Sequence, residues 1–443
     1  MAKDFEAVIP LSKVGLSPSN GSVIPLKDGR LFWAWGIGSA NEPLQPMHGN
    51  ISSDGGRTWS EPGALKLTTG EPLLSIFKAN LFRMSSGALG LIHTGEVTHG
   101  GISWPTQYHG IFFHKSEDEG RTWSTPVPIN PPNMSTWVSG DKCFVLSDGR
   151  IIAPVYAFMG PEPATADFKA VQRLGQRFTY SERCCLAHSY AYYSDDQGQT
   201  WTRSRNDVFV LLEGGAKGSY SLNEPDVVEL TDGRLLMMGR TNLGRLYRSY
   251  SEDRGATWLQ PEPTELALIP SPCNIKRIPK TDDLLIIWNQ ASRWEMMIGL
   301  YRHRLSCAIS KDEGETWQNH KNLESLDDVA QIEPESEEMA IMGPTSQPLD
   351  RLRYHRAPGP LRCNEPTCTF VDDTAVITYG HLELGDKSVI EKTYEMDYDS
   401  VARKLGFTER SEACRRWPWY PSSPGRWDGN NKVRILPIDW FYS

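Results

Sequence analysis

The hydrophobic and polar positions of this chain alternate in short blocks: an apolar run, a two-residue polar turn and a second apolar run. One unit has its turn at Asp28-Gly29 and its second run at residues 30–35, and another has its turn at Asp148-Gly149. Asp-Gly between apolar runs is the strongest short-range signal of a β-hairpin. The turns of the remaining units are Ser86-Gly87, Asp232-Gly233, Asp282-Asp283 and Asp372-Asp373. The pattern therefore predicts six antiparallel hairpins.

A second motif, S-x-D-x-G-x-T-W, follows five of the six hairpins. Its copies occupy residues 52–59, 116–123, 194–201, 251–258 and 310–317. The aspartate can accept backbone N–H bonds inside a turn, and the glycine adopts the positive φ that the turn requires. The tryptophan then packs beside the outgoing strand. We therefore expect these five aspartates to be structural rather than catalytic.

The two repeats together predict an all-β fold, a six-bladed β-propeller of four-stranded antiparallel blades. We expect residues 1–443 to form a single domain. Residues 432–442 are expected to pair with the N-terminal segment and close the ring. Residues from about 160 to 188 form a long inserted loop in blade three.

Composition narrows the class of protein. The 46 Lys and Arg residues against 55 Asp and Glu give a net charge of −9, which excludes a general nucleic-acid-binding protein. No apolar run approaches the roughly 18 residues that span a bilayer, so no membrane partner is expected. Residues 1–10 lack a signal-peptide pattern, so we expect a cytoplasmic protein, or a secreted one if a leader has been removed. The eight cysteines show no CxxC spacing, so we expect reduced thiols, no metal and no cofactor.

The first strand of each blade lines the central channel of a propeller, so the residues that open these strands are candidates for a ligand site. Polar residues open the strand in all six blades: residues 20–22, Lys78 and Asn80, Asp141 and Lys142, Asn223 and Glu224, residues 271–274, and residues 362–367. We expect a polar pocket on the axis, with a solvated channel lining as the alternative.

The five turns resemble the Asp-box, or bacterial neuraminidase repeat, of the sialidase superfamily. The stretches 223–248, 271–279 and 434–442 are also similar to the broad sialidase-like group, and the resemblance covers nearly the whole chain. That group contains glycosidases, lyases and proteins without an assigned activity, so the fold does not define the function. The resemblance implies an acidic carbohydrate as partner, an arginine triad on its carboxylate, a Tyr–Glu nucleophile pair and an Asp general acid.

Blade four matches the family's site best. Glu224 and Arg240 stand at the family positions of the nucleophile's partner and the second arginine, and Arg245 and Arg248 follow on the same loop and strand. Arginine suits this role because its planar fork binds a carboxylate bidentately. We expect Asn223 to contribute to substrate binding. The candidates from blade five are Asn274 and one of Arg293, Arg302 and Arg304, for which exposed surface ion pairs are the alternative.

Three positions depart from the family's pattern. Residues 20–25 of blade one hold no arginine where the first of the triad is expected. Asn364 stands near the place of the nucleophilic tyrosine, and Arg362 is a candidate for a replacement carboxylate clamp. The general-acid loop of blade one carries Glu42 rather than Asp, with His48 nearby. These departures favour a related sugar chemistry over exo-sialidase activity itself.

His93, His109 and Tyr156 support a second chemistry. Abstraction of the proton alpha to a uronate carboxylate needs a base, an acid and a cation on the carboxylate. His93 or His109, Tyr156, and Arg240 or Arg245 would supply these groups, which resembles the His/Tyr/Arg set of propeller-fold polysaccharide lyases. Packing of His93 and Tyr156 in the interior is the alternative.

The sequence thus predicts a carbohydrate-active enzyme. The first hypothesis is a sialidase-like exo-glycoside hydrolase that cleaves a terminal acidic sugar. The second is a lyase that eliminates at a uronate, and the third is a non-catalytic sugar-binding propeller. The oligomeric state is left open.

Overall fold

Six four-stranded antiparallel sheets, arranged as the blades of a β-propeller, make up the fold and confirm the predicted fold class. The structure, a computed structural model, describes residues 4–9, 21–36, 45–75, 77–97, 108–131, 136–159, 186–241, 243–269, 271–292, 302–325, 327–334, 360–383 and 430–443. Of the predicted insertion at 160–188, residues 160–185 lie outside these ranges. No helix in the described ranges is long and apolar enough to cross a membrane.

Each blade runs outward from the axis in hairpin order. Blade one contains β2 (Ser22–Pro25), β3 (Leu31–Trp35), β5 (His48–Ser52) and β6 (Gly63–Ala64). Blade two contains β8 (Phe77–Arg83), β9 (Leu89–Val97), β10 (Tyr108–Ser116) and β11 (Val127–Pro128). Blade three contains β12 (Phe144–Val145), β13 (Ile151–Met159), β14 (Leu186–Ser194) and β15 (Thr202–Arg203).

The second half of the ring repeats this order. Blade four contains β18 (Asn223–Glu229), β19 (Leu235–Arg240), β20 (Arg245–Ser251) and β21 (Glu262–Ala267). Blade five contains β22 (Asn274–Arg277), β23 (Leu284–Asn289), β24 (Leu305–Ser310) and β25 (Gln318–Glu324). Two short ribbons lie outside the blades: β4 (Gln45–Pro46) with β7 (Leu74–Ser75), and β16 (Val210–Leu211) with β17 (Ser219–Tyr220). A 3-10 turn covers Leu212–Gly215.

Blade six joins the two ends of the chain. It contains β26 (Pro360–Val371), β27 (Thr374–Glu383), β28 (Asn430–Pro437) and, outermost, β1 (Phe5–Ile9). The pairing of β1 with β28 runs from Phe5 opposite Ile435 to Ile9 opposite Asn431. The last strand ends at Pro437, and a 3-10 turn over Ile438–Phe441 follows where the sequence suggested a strand to about residue 442.

The hydrophobic core is divided into six clusters, one in each seam between neighbouring blades. In five seams a tryptophan from an S-x-D-x-G-x-T-W turn packs into the cluster: Trp59, Trp123, Trp201, Trp258 and Trp317. The seam between blades five and six is filled instead by the C-terminal turn, with Ile438 and Phe441 buried. Blade six has no such turn because its third and fourth strands come from opposite ends of the chain.

The five repeated turns have the hydrogen bonds that their residue types predict. In the turn of blade two, Asp118 accepts from the backbone N–H of Thr122 at 2.9 Å and from its hydroxyl at 2.7 Å. Ser116 donates to the same carboxylate at 2.8 Å and accepts from the N–H of Gly120 at 2.8 Å. The other four copies repeat these bonds. Their carboxylates are therefore occupied within the turns.

Candidate functional site

Charged residues in a left-handed backbone conformation open the inner strands of four blades. Their φ values are +69° for Lys78, +60° for Asp141, +48° for Glu224 and +50° for Glu365. Register shifts accompany three of them, in β8, β18 and β26. Non-glycine residues adopt this conformation rarely, and such strain concentrates at functional sites. The shared position, at the starting end of the inner strands, defines the axial mouth of the ring.

Asp141 joins blades across the axis. Its carboxylate accepts from the Ser22 hydroxyl of blade one at 2.8 Å, and it pairs with Lys276 of blade five at 3.2 Å. The backbone N–H of Cys368 in blade six donates to the same carboxylate at 3.3 Å. Its own backbone N–H donates to the carbonyl of Ala79 in blade two at 3.1 Å. One residue of blade three therefore contacts four other blades, three through its side chain and one through its backbone.

A second ion pair completes this network. Lys142 of blade three pairs with Asp226 of blade four at 3.0 Å, and both side chains are almost fully buried. Lys142 also donates to the carbonyl of Cys273 in blade five. The Asn274 amide donates to Asp141 at 3.3 Å and to Asp226 at 3.4 Å. Burial raises the pKa of Asp226 even though the Lys142 ammonium opposes this effect. Polar contacts thus fill the axis between all six inner strands.

The predicted blade-four residues come together at the mouth. The Arg240 guanidinium and the Glu224 carboxylate are 2.7 Å apart, with side-chain exposures of 11% and 8%. Asn223 is the neighbour of Arg240 across the β18–β19 hairpin, and its side-chain oxygen accepts from the backbone N–H of Glu224 at 2.8 Å. The strained backbone of Glu224 is therefore supported from both sides.

A second arginine, Arg302, comes from blade five and contacts blade six. Arg302 is buried, its guanidinium donates to the Asn364 side-chain oxygen at 3.1 Å, and its carbonyl accepts from the N–H of Cys363 at 2.8 Å. Arg304 is also buried and binds Asp327 at 2.6 Å. The alternative of exposed surface ion pairs therefore does not describe Arg302 or Arg304, because each is buried and has a specific acceptor.

An ion pair between non-neighbouring blades crosses the mouth. Lys78 of blade two and Glu365 of blade six are 2.6 Å apart, with side-chain exposures of 6% and 15%. Burial opposes ionisation of Glu365, but the charges of Lys78 and Arg302 nevertheless lower the pKa of this carboxyl. Blade one lies between these blades in the ring, so the pair passes over its inner strand.

The structure places His93 on the second strand of blade two, opposite Ala79 of the inner strand, with its side chain packed inside the protein. It lies on the face of β9 that also carries Leu91, which packs in the seam between blades one and two. Its Nε2 is 3.0 Å from Nε2 of His114, and its ring stacks on His114 and Phe112. Burial, followed by the charge of His114, lowers the pKa of His93 to about 3. The packing alternative therefore describes His93.

Tyr156 and Arg248 belong to the second strand of blade three and the third strand of blade four, so both are farther from the axis than the inner strands. Tyr156 is buried, and its backbone forms a two-way bridge with Trp137. Arg248 pairs with Glu262 at 2.8 Å and with Glu315 at 2.9 Å, so it ties blade four to the repeated turn of blade five. The prediction that Arg248 binds substrate is corrected, because its guanidinium is occupied at this seam.

Arg245 and His48 begin the third strands of their blades. Arg245 is half-buried, and its guanidinium is 3.4 Å from the carbonyl of Thr264. His48 stacks on Trp35 with ring centroids 5.1 Å apart, and burial lowers its pKa. Both residues are on the same end of their blades as the inner-strand openings, one or two strands farther from the axis.

The side chains of four other sequence candidates lie outside the described part of the structure. Glu42 and Arg293 lie outside the described residues. His109 and Arg362 belong to β10 and β26, but their side chains are outside the described part of the structure. Within the described ranges, no group of three or more His, Cys, Asp or Glu side chains is arranged to hold a metal ion.

Two members of the axial network were missed from the sequence. Asp226 is two residues beyond Glu224, and Lys276 is two residues beyond Asn274. Alternate residues of a regular strand share one face, so a period-two projection from Asn274 would have identified Lys276. The register shift at Glu224 interrupts this alternation before Asp226, so the sequence held no such signal for Asp226.

The fold and the charged axial mouth define a sialidase-like six-bladed propeller. The model of the family described as "BNR repeat-like domain" matches residues 79–404. The chain therefore belongs to the BNR repeat-like domain family.

Similar proteins include human sialidase-4, which is 24% identical over 164 residues, a match that covers 33% of this chain and 28% of the human protein. The chain thus spans well under half of that relative. Among solved structures, a Dyadobacter fermentans DSM 18053 protein of unknown function has a TM-score of 0.57 at 16% identity, with 99% of this chain and 100% of that chain covered.

Two sialidase structures are also similar. The Hadza microbial sialidase Hz136 has a TM-score of 0.51 at 16% identity, and the match covers 81% of this chain and 62% of that one. The leech intramolecular trans-sialidase has a TM-score of 0.50 at 13% identity, with 86% and 67% covered. At these identities the similarity establishes the fold.

Proposed function

We propose that this protein is a sialidase-like glycoside hydrolase that removes a terminal acidic sugar at the axial mouth. The observation that carries the proposal is the Glu224–Arg240 ion pair, at 2.7 Å, where the inner strand of blade four begins. These two residues stand at the positions that the family resemblance assigns to a catalytic carboxylate and a carboxylate-binding arginine. The names of Hz136 and the leech enzyme agree with this chemistry.

The two buried arginines are the proposed substrate-carboxylate site. Arg240 comes from blade four, and Arg302 is held against the inner strand of blade six by Asn364. A planar guanidinium binds a carboxylate through two parallel hydrogen bonds, and burial strengthens those bonds because water competes less. Arginines at this mouth would therefore orient a sugar acid.

Glu224 is the proposed general base. Asn364 stands near the place where the family resemblance implies a nucleophilic tyrosine, and a side-chain amide cannot act as that nucleophile. We therefore assign the attack to water: its oxygen bonds to the anomeric carbon, its proton passes to Glu224, and the glycosidic bond breaks. The leaving oxygen takes a proton from an acid, for which Glu42 remains the sequence candidate.

The described geometry gives the lyase hypothesis less support. That chemistry requires a base and a tyrosine beside the substrate. His93 stacks in the seam between blades one and two, and Tyr156 is buried along β13. The side chain of His109, the alternative base, lies outside the described part of the structure.

Turnover of fluorogenic 4-methylumbelliferyl glycosides of N-acetylneuraminic acid and glucuronic acid tests the proposal. We expect Glu224→Gln to reduce kcat roughly 10²–10⁴-fold, the usual contribution of a general base. Arg240→Lys should mainly raise KM, because lysine cannot bind a carboxylate bidentately. Arg248→Lys is the matched control and should leave KM unchanged.

Two outcomes would contradict the proposal. If a 4-linked uronate oligosaccharide is split with ultraviolet absorbance from an unsaturated uronate, by loss of the C5 proton and the C4 oxygen substituent, and the glycosides are not hydrolysed, the protein is a lyase. Binding of acidic sugars with no turnover of any glycoside would identify a sugar-binding protein without catalytic activity.

A further inference from the structure

Blade one offers no cation to the mouth among its described residues. A Cβ atom added to Gly21 would lie 2.3 Å from Nε1 of Trp33 and 2.7 Å from the carbonyl of Ala34, so no side chain fits there. The next residue, Ser22, uses its hydroxyl on Asp141. The family resemblance implies an arginine in this region, and the described residues of the strand opening supply none.

The ammonium of Lys78 occupies the space in front of this strand. Lys78 belongs to blade two and reaches Glu365 of blade six at 2.6 Å, while the inner strand of blade one lies between those two blades. Both residues have positive φ values, +69° and +50°, at register shifts in their strands. An ordinary extended backbone at either position would direct these side chains differently, so two strained positions support one contact.

Several cations of the described residues surround the Glu365 carboxylate. Lys78 pairs with it at 2.6 Å, and the charges of Lys78, Arg302 and Lys142 favour its ionisation. The Glu224–Arg240 pair belongs to the same end of the inner strands. A second carboxylate, from a substrate, would compete with Glu365 for the Lys78 ammonium because both groups are acceptors for the same charged donor.

We propose that Lys78 determines specificity for an acidic sugar, as a third cation that replaces the arginine missing from blade one. Glu365 is the positioning residue: it holds the ammonium across the mouth and competes with the substrate carboxylate for it. This inference rests on the proposed function, because it names a further residue of the same carboxylate site.

Substitutions of the two partners of the Lys78–Glu365 ion pair should change the preference for an acidic sugar in opposite directions. We compare binding of the methyl α-glycoside of N-acetylneuraminic acid with binding of its methyl ester, which has the same ring but no charge, by isothermal titration calorimetry at pH 7. Lys78→Met should lower the acid-to-ester preference about tenfold or more, as expected for loss of one charged hydrogen bond. Glu365→Gln should raise the preference because the ammonium loses its internal competitor. Lys78→Arg should retain it.

A purely structural ion pair would give a different result. Both Lys78→Met and Glu365→Gln would then lower the thermal unfolding midpoint and leave the acid-to-ester preference unchanged, which would overturn the inference. Glu119→Gln, which breaks the Arg83–Glu119 pair at 2.5 Å, is the control for ion-pair loss elsewhere. If Lys78→Met does not fold, Glu365→Gln alone tests the inference: a raised acid-to-ester preference supports the role of Lys78, and an unchanged or lowered preference refutes it.

Failure of the inference can be distinguished from failure of the proposed function. A wild-type protein that prefers the acid, with variants that keep the same preference, would refute only the role of Lys78. A wild-type protein that does not prefer the acid over the ester would refute the acidic-sugar site itself, and the role of Lys78 with it.

Discussion

Glu324 links the blade that closes the ring to its neighbour, and this contact leads to a quantitative prediction. The carboxylate, at the end of β25 in blade five, accepts from the Tyr379 hydroxyl at 2.5 Å and pairs with the Lys432 ammonium at 2.5 Å. Nε2 of His381 is 3.7 Å away. All three partners belong to β27 and β28 of blade six, and only 10% of the Glu324 side chain is exposed.

The stability contributed by this carboxylate follows from its pKa. Burial alone would raise the pKa of Glu324, but hydrogen bonds from His381, Lys432 and Tyr379 lower it from 4.5 to about 2. A difference of that size corresponds to roughly 3 kcal/mol of folding free energy. Because the folded-state pKa is the lower one, the stabilisation is fully present above about pH 4.5 and is lost as the pH falls towards 2.

Glu324→Gln tests this reasoning. Urea unfolding followed by tryptophan fluorescence should show a loss of roughly 2–3 kcal/mol at pH 7, because glutamine keeps some hydrogen bonding but no charge. At pH 3 the gap between wild type and variant should narrow to about 1 kcal/mol. The exposed residue Glu61, substituted by Gln, is the control. A gap of equal size at both pH values would refute the assignment of the stabilisation to the ionised carboxylate.

Two further predictions concern the repeated turns. Gly198→Ala places a Cβ atom 2.2 Å from the ring of Phe113 at a backbone φ of +84°. We expect it to lower the free energy of unfolding by roughly 1–3 kcal/mol, measured by thermal unfolding. In the control Gly63→Ala the new Cβ meets no atom within 4 Å, so stability should change little. Asp118→Ala removes both hydrogen bonds to Thr122 and should destabilise the protein by about 1–3 kcal/mol without changing KM for a sugar substrate. A variant with an altered KM and unchanged stability would contradict the structural role of Asp118.

The hairpins and turns could be predicted because their signals are local. Each S-x-D-x-G-x-T-W turn closes its hydrogen bonds within a few residues, as those between Asp118 and Thr122 show. Residue type and spacing therefore determine the conformation with little help from the rest of the fold. The six occurrences of the hairpin then gave the blade number.

The filling of the last seam could not be predicted in this way. Phe441 packs where the other seams hold a turn tryptophan, and it comes from a 3-10 turn rather than from the strand that the sequence suggested. Its apolar neighbours in the sequence, Trp440 and Tyr442, match a strand pattern equally well. Only the position of blade five against blade six distinguishes the two conformations.

The candidate site was predictable in part, and its failures have a common cause. Glu224 and Arg240 face each other across a short hairpin, so local pairing and the family resemblance identified both. Arg302 and Asn364 are 62 positions apart, and Lys78 and Glu365 are 287 positions apart. A local sequence pattern cannot identify contact partners that are this far apart in the chain. The pattern around His93 likewise could not distinguish a seam-facing side chain from an axis-facing one.

The axial network also bears on the mode of action. Asp141 binds Ser22 and Lys276, and Lys142 binds Asp226, so polar contacts fill the axis at the mouth. Because the axis is filled in this way, a sugar can reach the charged groups from the side of the mouth, where the terminal residue of a chain can enter as the exo mode that we propose requires. The arrangement also explains why a protein with a net charge of −9 retains buried cations on its axis: Lys142 pairs with Asp226, and Lys276 pairs with Asp141.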